Sequence, residues 1–397
     1  MKQLLEKYKL EMEQELASIL SYWIKYTVDM NNGGFVGKID HSNEIYPEAP
    51  KGSVLNSRIL WTFSAAYNLT RNSEYLAIAQ RAFHYLTQNF IDKDFGGVYW
   101  TVDHRGLPLD TKKQFYALSF AVYGLSEYFE ASREEQAKTT AYKLYDDINR
   151  YSYDEKFGGY IEALTRDWKE IDDLRLSAKD ANERKSMNTH LHILEAYANL
   201  YRVSPSPKLQ KKLVELIQIF LDHIISKDSG HMHLFFNDEW KLRSHTVSYG
   251  HDVEAAWLIQ EAAEILGDKS LVETVKRDSL RLANAAMKGL DKDGGLWYEY
   301  EPQTDHLIKQ KHSWPQAEAM VGFFNAWQIT GDIKYLEQSM KSWEFVKNHI
   351  HDKRCGEWYW GVHEDYSVMD NEDKVGIWKC PYHNSRACME VLKRAGA

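Results

Sequence analysis

The sequence predicts an all-α fold in which twelve helices close into an (α/α)6 barrel, with short strands in the connecting loops. Two patterns predict it. A glycine–aromatic turn recurs at a nearly constant spacing, and helices that are apolar all round alternate with helices that are apolar on one side. Because a helix of the first kind is buried and one of the second kind faces solvent, the alternation indicates an inner ring inside an outer ring.

The glycine turns divide the chain into six repeats. Their first glycines are Gly33, Gly96, Gly158, Gly230, Gly294 and Gly356. The separations are 63, 62, 72, 64 and 62 residues, and aromatic residues follow most of the turns. The fourth turn, Ser229-Gly230-His231, is a degraded copy. A fixed period of this kind is typical of a repeat architecture.

Each repeat contributes one outer and one inner helix. The predicted outer helices are Leu4–Lys25, Asn72–Phe90, Arg133–Arg150, Leu209–Ile225, Leu271–Met287 and Ile333–Ile350. The predicted inner helices are Ser53–Thr70, Phe115–Phe129, His190–Tyr201, Val253–Leu266, Pro315–Ile329 and Asn384–Ala395. Such pairs can also stack into an open solenoid, but neither chain end carries a polar capping repeat. We therefore expect one closed domain over residues 1–397. The charged insertion Glu162–Ser186 is expected to form a loop over one mouth of the ring.

Composition limits the partners of the chain. The net charge of −9 disfavours nucleic acid and anionic membranes, and no apolar run reaches the roughly 20 residues that span a bilayer. Met1–Leu20 lacks the apolar core of a signal peptide. Three cysteines without a CxxC spacing, Cys355, Cys380 and Cys388, fit reduced thiols. We expect a cytoplasmic monomer or homodimer with a small-molecule partner.

Polar side chains stand near the N-terminal ends of the predicted inner helices. Burying such groups without partners costs about 1–3 kcal/mol each, so their presence needs a reason. They are Arg58, Tyr116, Asn188, His192, His251, Glu254, Trp314, Glu318 and His383. Because the inner helices are expected to run parallel, these ends would converge on one pocket.

Individually, these residues also have structural interpretations. Arg58 could pair inside the barrel, Tyr116 could pack in the core, and His383 could support a helix start. His190 and His192 resemble a metal pair, but residues two apart on a helix do not face each other, so no metal is expected. There is no GxGxxG motif after a strand and no P-loop, so no cofactor is expected either.

The chemistry of the whole set favours proton transfer. Three histidines and an arginine suit proton exchange near neutral pH. Glycoside hydrolysis is the main alternative, since Glu254 and Glu318 could supply its two carboxylates, but it does not explain the histidines. A glycan-binding toroid without catalysis is a third possibility, and it needs no titrating groups.

Five segments resemble the N-acylglucosamine 2-epimerase family, in particular its bacterial cellobiose 2-epimerases. They are Lys51–Arg58, Met187–His192, Ser248–Glu254, His312–Glu318 and Trp378–His383. The similarity runs in order over essentially the whole chain. It implies a sugar 2-epimerase that inverts C2 of the reducing-end glucose of β-1,4-linked disaccharides and turns cellobiose into glucosyl-mannose. Action on mannose, glucose or N-acylglucosamine, or aldose–ketose isomerisation, is the alternative.

The resemblance also implies roles for individual residues. His251 and His383 would exchange the C2 proton from opposite faces through a cis-enediolate, while Arg58 and His192 would stabilise the oxyanion. The substrate-binding residues would be Tyr116, Asn188, Glu254, Trp314, Glu318, Trp378 and Asp180. Within that set, Glu254 would orient or tune His251, and Glu318 would contact the sugar.

Overall fold

A computed structural model describes residues 1–396, and this range contains twelve α-helices. They are α1 (Lys2–Thr27), α2 (Ser53–Thr70), α3 (Ser73–Tyr85), α4 (Phe115–Ser132), α5 (Glu135–Tyr151), α6 (Met187–Val203), α7 (Pro207–Ile219), α8 (Tyr249–Leu266), α9 (Lys269–Ala286), α10 (Ser313–Thr330), α11 (Ile333–Phe345) and α12 (Tyr382–Gly396). Helices α3, α7 and α11 continue into single π-helical turns, Leu86–Phe90, Phe220–Ile224 and Val346–Ile350, and α9 continues into a 3-10 turn, Met287–Gly289.

The even-numbered helices form a closed inner ring. Each packs against the next even-numbered helix, and α12 packs against both α10 and α2. The odd-numbered helices lie outside, with α1 on α12 and every other one on the even-numbered helix before it. Burial follows this division, because Ser53–Ala66 of α2 is buried without interruption whereas α3 buries only four residues. The predicted (α/α)6 barrel is confirmed, and the open solenoid is wrong.

Two inner helices begin three or four residues earlier than the sequence predicts. Helix α6 begins at Met187 rather than His190, and α8 begins at Tyr249 rather than Val253. The apolar pattern starts late because the first turns of these helices carry polar side chains that face a cavity. These first turns therefore contain candidate functional residues.

Short antiparallel strands surround the end of the barrel at which the inner helices begin. They are β1 (Lys51–Gly52), β2 (Thr101–Val102), β3 (Pro108–Asp110), β4 (Lys113–Gln114), β5 (Ala163–Leu164), β6 (Lys185–Ser186), β7 (Phe235–Phe236), β8 (Val247–Ser248), β9 (Glu299–Glu301), β10 (His306–Ile308), β11 (Lys311–His312) and β12 (Gly361–Val362). The sheets are β1-β2-β3, β8-β9-β10, β4-β5, β6-β7 and β11-β12. Since β1, β4, β6, β8 and β11 lead directly into inner helices, they fix where those helices start.

Buried lysines fasten five of the six glycine turns to the barrel. The pairs are Lys51–Asp29, Lys113–Asp92, Lys185–Asp154, Lys311–Asp291 and Lys374–Asp352. In the second repeat the ammonium also donates to the carbonyl of Gly96, 2.7 Å away. Gly97, with φ of 68°, lies in the left-handed region, and a Cβ there would stand 2.8 Å from the Trp168 ring. The turns are thus held by glycine geometry and by buried ion pairs.

The long insertion lies where the sequence predicts it. Residues 174–181 within Glu162–Ser186 line the mouth of the ring at which the inner helices begin. None of the helices in residues 1–396 combines the length and the apolar character that crossing a bilayer requires. That residues 1–397 form a single domain stays a prediction.

Candidate active site

A cavity of about 710 Å³ opens at the mouth where the inner helices begin. Ten of the eleven predicted site residues line it: Arg58, Tyr116, Asp180, Asn188, His192, His251, Glu254, Trp314, Trp378 and His383. They come from all six inner helices and from the loops between the helices. The closed ring therefore gathers side chains that lie far apart in the sequence.

The eleventh residue, Glu318, lies behind the cavity wall. Its Oε1 is 2.6 Å from Nδ1 of His383, and its other oxygen accepts from the indole of Trp257 at 3.0 Å. The expectation that Glu318 contacts the sugar is therefore not supported by its position. Because a carboxylate only accepts hydrogen bonds, Nδ1 of His383 carries the proton and its Nε2 is left for the cavity.

His251 is oriented by a neutral partner. Its Nδ1 lies 2.7 Å from the hydroxyl of Ser248, one turn away at the helix start. The ring of Trp314 contacts both imidazoles, with centroid distances of 4.7 Å to His251 and 5.6 Å to His383. Burial lowers the pKa of each histidine to about 3, and the carboxylate of Glu318 opposes that lowering at His383. Both rings are thus neutral and able to accept a proton at neutral pH.

Arg58 is a buried cation without an anionic partner among the described residues. It is 3% exposed, and its guanidinium donates to the hydroxyl of Tyr116 at 2.8 Å and to the sulfur of Cys380 at 3.7 Å. The rings of Phe120 and Tyr382 lie 4.1 Å and 4.7 Å from the guanidinium carbon. Since every partner is neutral, the positive charge is available to a negative charge that develops in the cavity.

His192 lies next to this cation and is supported from below. Its Nδ1 is 2.9 Å from the carboxylate of Glu195, which also accepts from the hydroxyl of Tyr382 and from Arg386. Burial lowers the pKa of His192, although Glu195 opposes that effect. His192 therefore presents a neutral ring whose orientation is fixed by a buried carboxylate.

Arg386 connects the groups beneath the cavity. Its guanidinium contacts Glu195, and it donates to Glu254 at 2.8 Å and to Glu318 at 2.6 Å. All four side chains are about 1% exposed. The expectation that Glu254 orients His251 is not supported, because its carboxyl pairs with Arg386 instead. One guanidinium thus holds three carboxyl groups that lie under the catalytic candidates.

The carboxyl groups around Arg386 do not all have the same protonation state. Burial raises the pKa of Glu254 to about 8, and the adjacent charge of Glu318 adds to the rise. At Glu318, Arg386 and His383 outweigh burial and lower the pKa to about 2. Glu254 is therefore protonated and Glu318 ionised at neutral pH.

Three of these groups have the spacing of a cation site. Ligand atoms of Glu254, Glu318 and His383 lie within 4.8 Å of one another. Arg386 already donates to both carboxyl groups and supplies a positive charge there. His190, in contrast, is tied to the backbone on both ring nitrogens and does not line the cavity. The absence of a metal stays a prediction.

Several cavity-lining residues that the sequence patterns did not indicate share one position in the repeat. They stand four residues after the first glycine of a turn, and they are Glu162, Leu234, Tyr298 and Trp360. The glycine spacing indicates this position, since equivalent positions of a ring-shaped repeat tend to face the same mouth, although Gly37 and Trp100 at the same position do not line the cavity.

Comparisons with known proteins agree with this geometry. The family model described as N-acylglucosamine 2-epimerase (GlcNAc 2-epimerase) matches residues 33–387. A cellobiose 2-epimerase from Bacteroides fragilis is 50% identical over 388 residues, which cover 98% of this chain and 99% of the relative. The structure of a cellobiose 2-epimerase from Bacillus thermoamylovorans is 37% identical, with a TM-score of 0.93 and coverage of 99% and 100%. A family 76 α-mannanase from Bacteroides thetaiotaomicron, 10% identical with a TM-score of 0.66 and coverage of 97% and 96%, shares the fold alone.

Proposed function

This chain belongs to the N-acylglucosamine 2-epimerase family and is a carbohydrate epimerase, and we propose that it inverts C2 of the reducing-end glucose of β-1,4-linked disaccharides. Cellobiose would become glucosyl-mannose. Relatives named for cellobiose support this substrate, because the similarity spans nearly all of both chains. The observation that carries the proposal is one cavity lined by two neutral imidazoles and an arginine without an anionic partner.

The proposed reaction moves only protons. After the hemiacetal opens to an aldehyde, one imidazole takes the proton from C2, and the electron pair of that C–H bond forms the double bond of a cis-enediolate. The other imidazole, after it has taken up a proton from solvent, returns that proton to the opposite face of C2, and the first imidazole releases the C2 proton to solvent. We assign these two roles to His251 and His383, whose rings contact the same tryptophan.

The negative charge of the enediolate would be stabilised by Arg58 and His192. A preorganised donor is most effective where charge develops during the reaction. Arg58 fits because its charge is not already neutralised by a carboxylate. His192 fits because Glu195 fixes its Nδ1 and leaves Nε2 for an oxygen of the substrate.

Recognition of the sugar would rest on the remaining lining residues. Trp314 and Trp378 offer aromatic faces to the sugar rings, and Tyr116 and Glu254 offer hydroxyl and carboxyl groups. The side-chain oxygen of Asn188 is buried and has no hydrogen-bond partner within residues 1–396, which suits a ligand hydroxyl. Asp180, on the long insertion, lines the same cavity and would contact the second sugar.

Incubation with cellobiose in deuterium oxide tests this proposal. We expect deuterium at C2 and the appearance of glucosyl-mannose, both followed by NMR. His251→Ala and His383→Ala should abolish the product, whereas His84→Ala, at an exposed position of α3, should not. Absence of both deuterium at C2 and product with the unaltered protein would contradict the proposal.

A panel of free sugars separates the remaining alternatives. Turnover of mannose, glucose or N-acetylglucosamine without turnover of cellobiose would indicate a monosaccharide epimerase. A ketose product would indicate an aldose–ketose isomerase, and release of glucose from cellobiose would indicate hydrolysis. Chromatography of the products distinguishes these outcomes.

A further inference from the structure

Two buried arginines of the barrel differ in the charge that surrounds them. Arg386 contacts three carboxyl groups. Among the described residues, the hydrogen-bond partners of Arg58 are only the hydroxyl of Tyr116, the backbone carbonyl of Trp378 at 3.5 Å and the sulfur of Cys380. The Nε of Arg58 is also buried without a partner among the described residues. One cavity-lining guanidinium is thus left without an anion.

A buried charge without a counter-ion is costly, and a ligand that brings the opposite charge to it removes that cost. The neutral sugars that the family converts carry no such charge. In the proposed reaction only the short-lived enediolate does, on the oxygens of C1 and C2. A stable compound with a negative charge at C1 would therefore satisfy Arg58 better than either the substrate or the product.

We propose that this cavity binds aldonates, the sugar acids in which C1 is a carboxylate, more tightly than the neutral sugars, and that disaccharide aldonates inhibit the enzyme competitively. The carboxylate would lie against Arg58 and His192, and the second sugar would occupy the outer part of the cavity. This inference rests on the proposed function for the placement of C1, and it adds a class of ligand that the reaction itself does not contain.

Most of the other charged groups that line the cavity come from loops and strands rather than from the inner helices, and these include Asp180, Glu299, Glu301 and Glu372. Glu254 is neutral at neutral pH and accepts a hydrogen bond from Arg386, and Glu318 lies behind the wall. The lining cation Lys379 is already paired with Glu357 at 2.9 Å. Arg243, at the rim, lies 3.8 Å from Glu183 and is half exposed. The lining cation Lys179 is exposed, so among the described residues Arg58 is the buried lining cation that an entering carboxylate would meet without a counter-ion.

Titration calorimetry with three matched ligands tests the inference. The ligands are the aldonate of cellobiose, its alditol and its aldonamide, which is a neutral isostere of the carboxylate. We expect the aldonate to bind about 10- to 100-fold more tightly than either neutral ligand, the range for a hydrogen bond to a charged group. Steady-state kinetics should show the aldonate raising KM for cellobiose without lowering kcat.

Variants identify the cation responsible. Arg58→Gln should remove the preference for the aldonate while leaving alditol binding measurable, which also shows that the variant is folded. Arg243→Gln, which removes a screened charge at the rim, should keep the preference. Equal affinities for aldonate and aldonamide in the unaltered protein would overturn the inference, as would a preference that survives Arg58→Gln. Failure of the proposed function is distinguishable, because it appears as binding without deuterium at C2.

Discussion

The Nδ1 atom of His383 lies 2.6 Å from Oε1 of Glu318, and both side chains are buried. The corresponding atom of His251 lies 2.7 Å from the hydroxyl of Ser248. Because a carboxylate stabilises an imidazolium and a hydroxyl does not, the two imidazoles are unequal. We infer that, in the proposed reaction, Glu318 stabilises the imidazolium form of His383, a contribution that Ser248 does not make at His251.

Glu318→Gln is predicted to lower kcat about 100-fold, the size of a lost acid–base contribution. Glutamine can still accept from Nδ1 of His383, but it no longer stabilises the imidazolium. KM for cellobiose should change much less, since Glu318 does not line the cavity. Initial rates of glucosyl-mannose formation, separated by chromatography, provide both constants.

A comparison with Ser248→Ala makes this test specific. That variant removes a neutral partner of His251, so its loss of kcat should be smaller. If Glu318→Gln retains full kcat, the charge of Glu318 has no role in proton transfer.

The value of kcat/KM at alkaline pH should be controlled by the ionisation of Glu254. Burial and the charge of Glu318 raise the pKa of Glu254 to about 8, so this group is protonated below that pH and ionised above it. Ionisation places a negative charge beside the proposed enediolate and disfavours it. We therefore expect kcat/KM for cellobiose to fall as the pH rises through about 8.

Glu254→Gln keeps a neutral group at this position and cannot ionise. Its kcat/KM profile should lack the alkaline decrease while keeping measurable activity. Glu254→Leu, which loses the hydrogen bond from Arg386 as well, should be much less active. An alkaline decrease of the same size and midpoint in Glu254→Gln would contradict the assignment.

The sequence predicted the ring and most of the cavity, but not the layer beneath it. A charged residue follows each of the three proposed site histidines by three positions, and these residues are Glu195, Glu254 and Arg386. The i,i+3 spacing correctly describes the pair of His192 with Glu195. It fails for His251 and Glu254, because Arg386 from another helix binds that carboxyl group. A spacing rule describes contacts within one helix, whereas the buried carboxyl groups also form hydrogen bonds with residues of other inner helices.

The lysines that hold the glycine turns show a second limit of the sequence. Lys113 is polar and lies beside a loop, so a hydropathy pattern places it in solvent. In the structure its side chain is fully buried against Asp92, because the turn folds back over the helix start. A lysine stands two residues before each of α2, α4, α6 and α10. This recurrence can be read from the sequence. Its reason, an ion pair with an Asp of the preceding glycine turn, becomes clear only in the structure.

Removal of Arg386 should destabilise the protein more than removal of a surface cation. Arg386→Met leaves three buried carboxyl groups without their guanidinium, and breaking a buried pair of this kind costs about 3–5 kcal/mol. Lys208→Met is the control, because Lys208 and its partner Asp146 are 66% and 60% exposed. Its effect on the free energy of unfolding should stay within about 0.5 kcal/mol.

Urea unfolding followed by circular dichroism measures both variants. Equal midpoints for Arg386→Met and Lys208→Met would mean that the buried network does not depend on the guanidinium. Activity provides a second readout, since Glu195 and Glu318 would lose the group that fixes them beneath His192 and His383. Arg386→Lys keeps the positive charge but not the planar guanidinium that donates to several carboxyl groups at once. It should therefore restore the free energy of unfolding more than it restores activity.

Because of the ion pairs of the glycine turns, the free energy of unfolding should depend on pH in the acidic range. Burial alone would raise the pKa of Asp92, but hydrogen bonds from Arg166 and Lys113 bring it well below its ordinary value. A carboxyl group whose pKa is lower in the folded state adds stability above its unfolded pKa, about 3.9. That contribution disappears as the pH falls from there toward the folded value. The free energy of unfolding should therefore decrease steeply below about pH 4.

Asp92→Asn isolates one of these pairs. At neutral pH the variant should be less stable than the parent protein, because Lys113 remains buried without its counter-ion. The difference should narrow as the pH falls below about 4, where the parent loses the same charge. Asp146→Asn, at an exposed pair, should follow the parent at every pH. A difference between Asp92→Asn and the parent that stays constant down to the lowest pH at which both fold would show that the charge of Asp92 does not stabilise the turn.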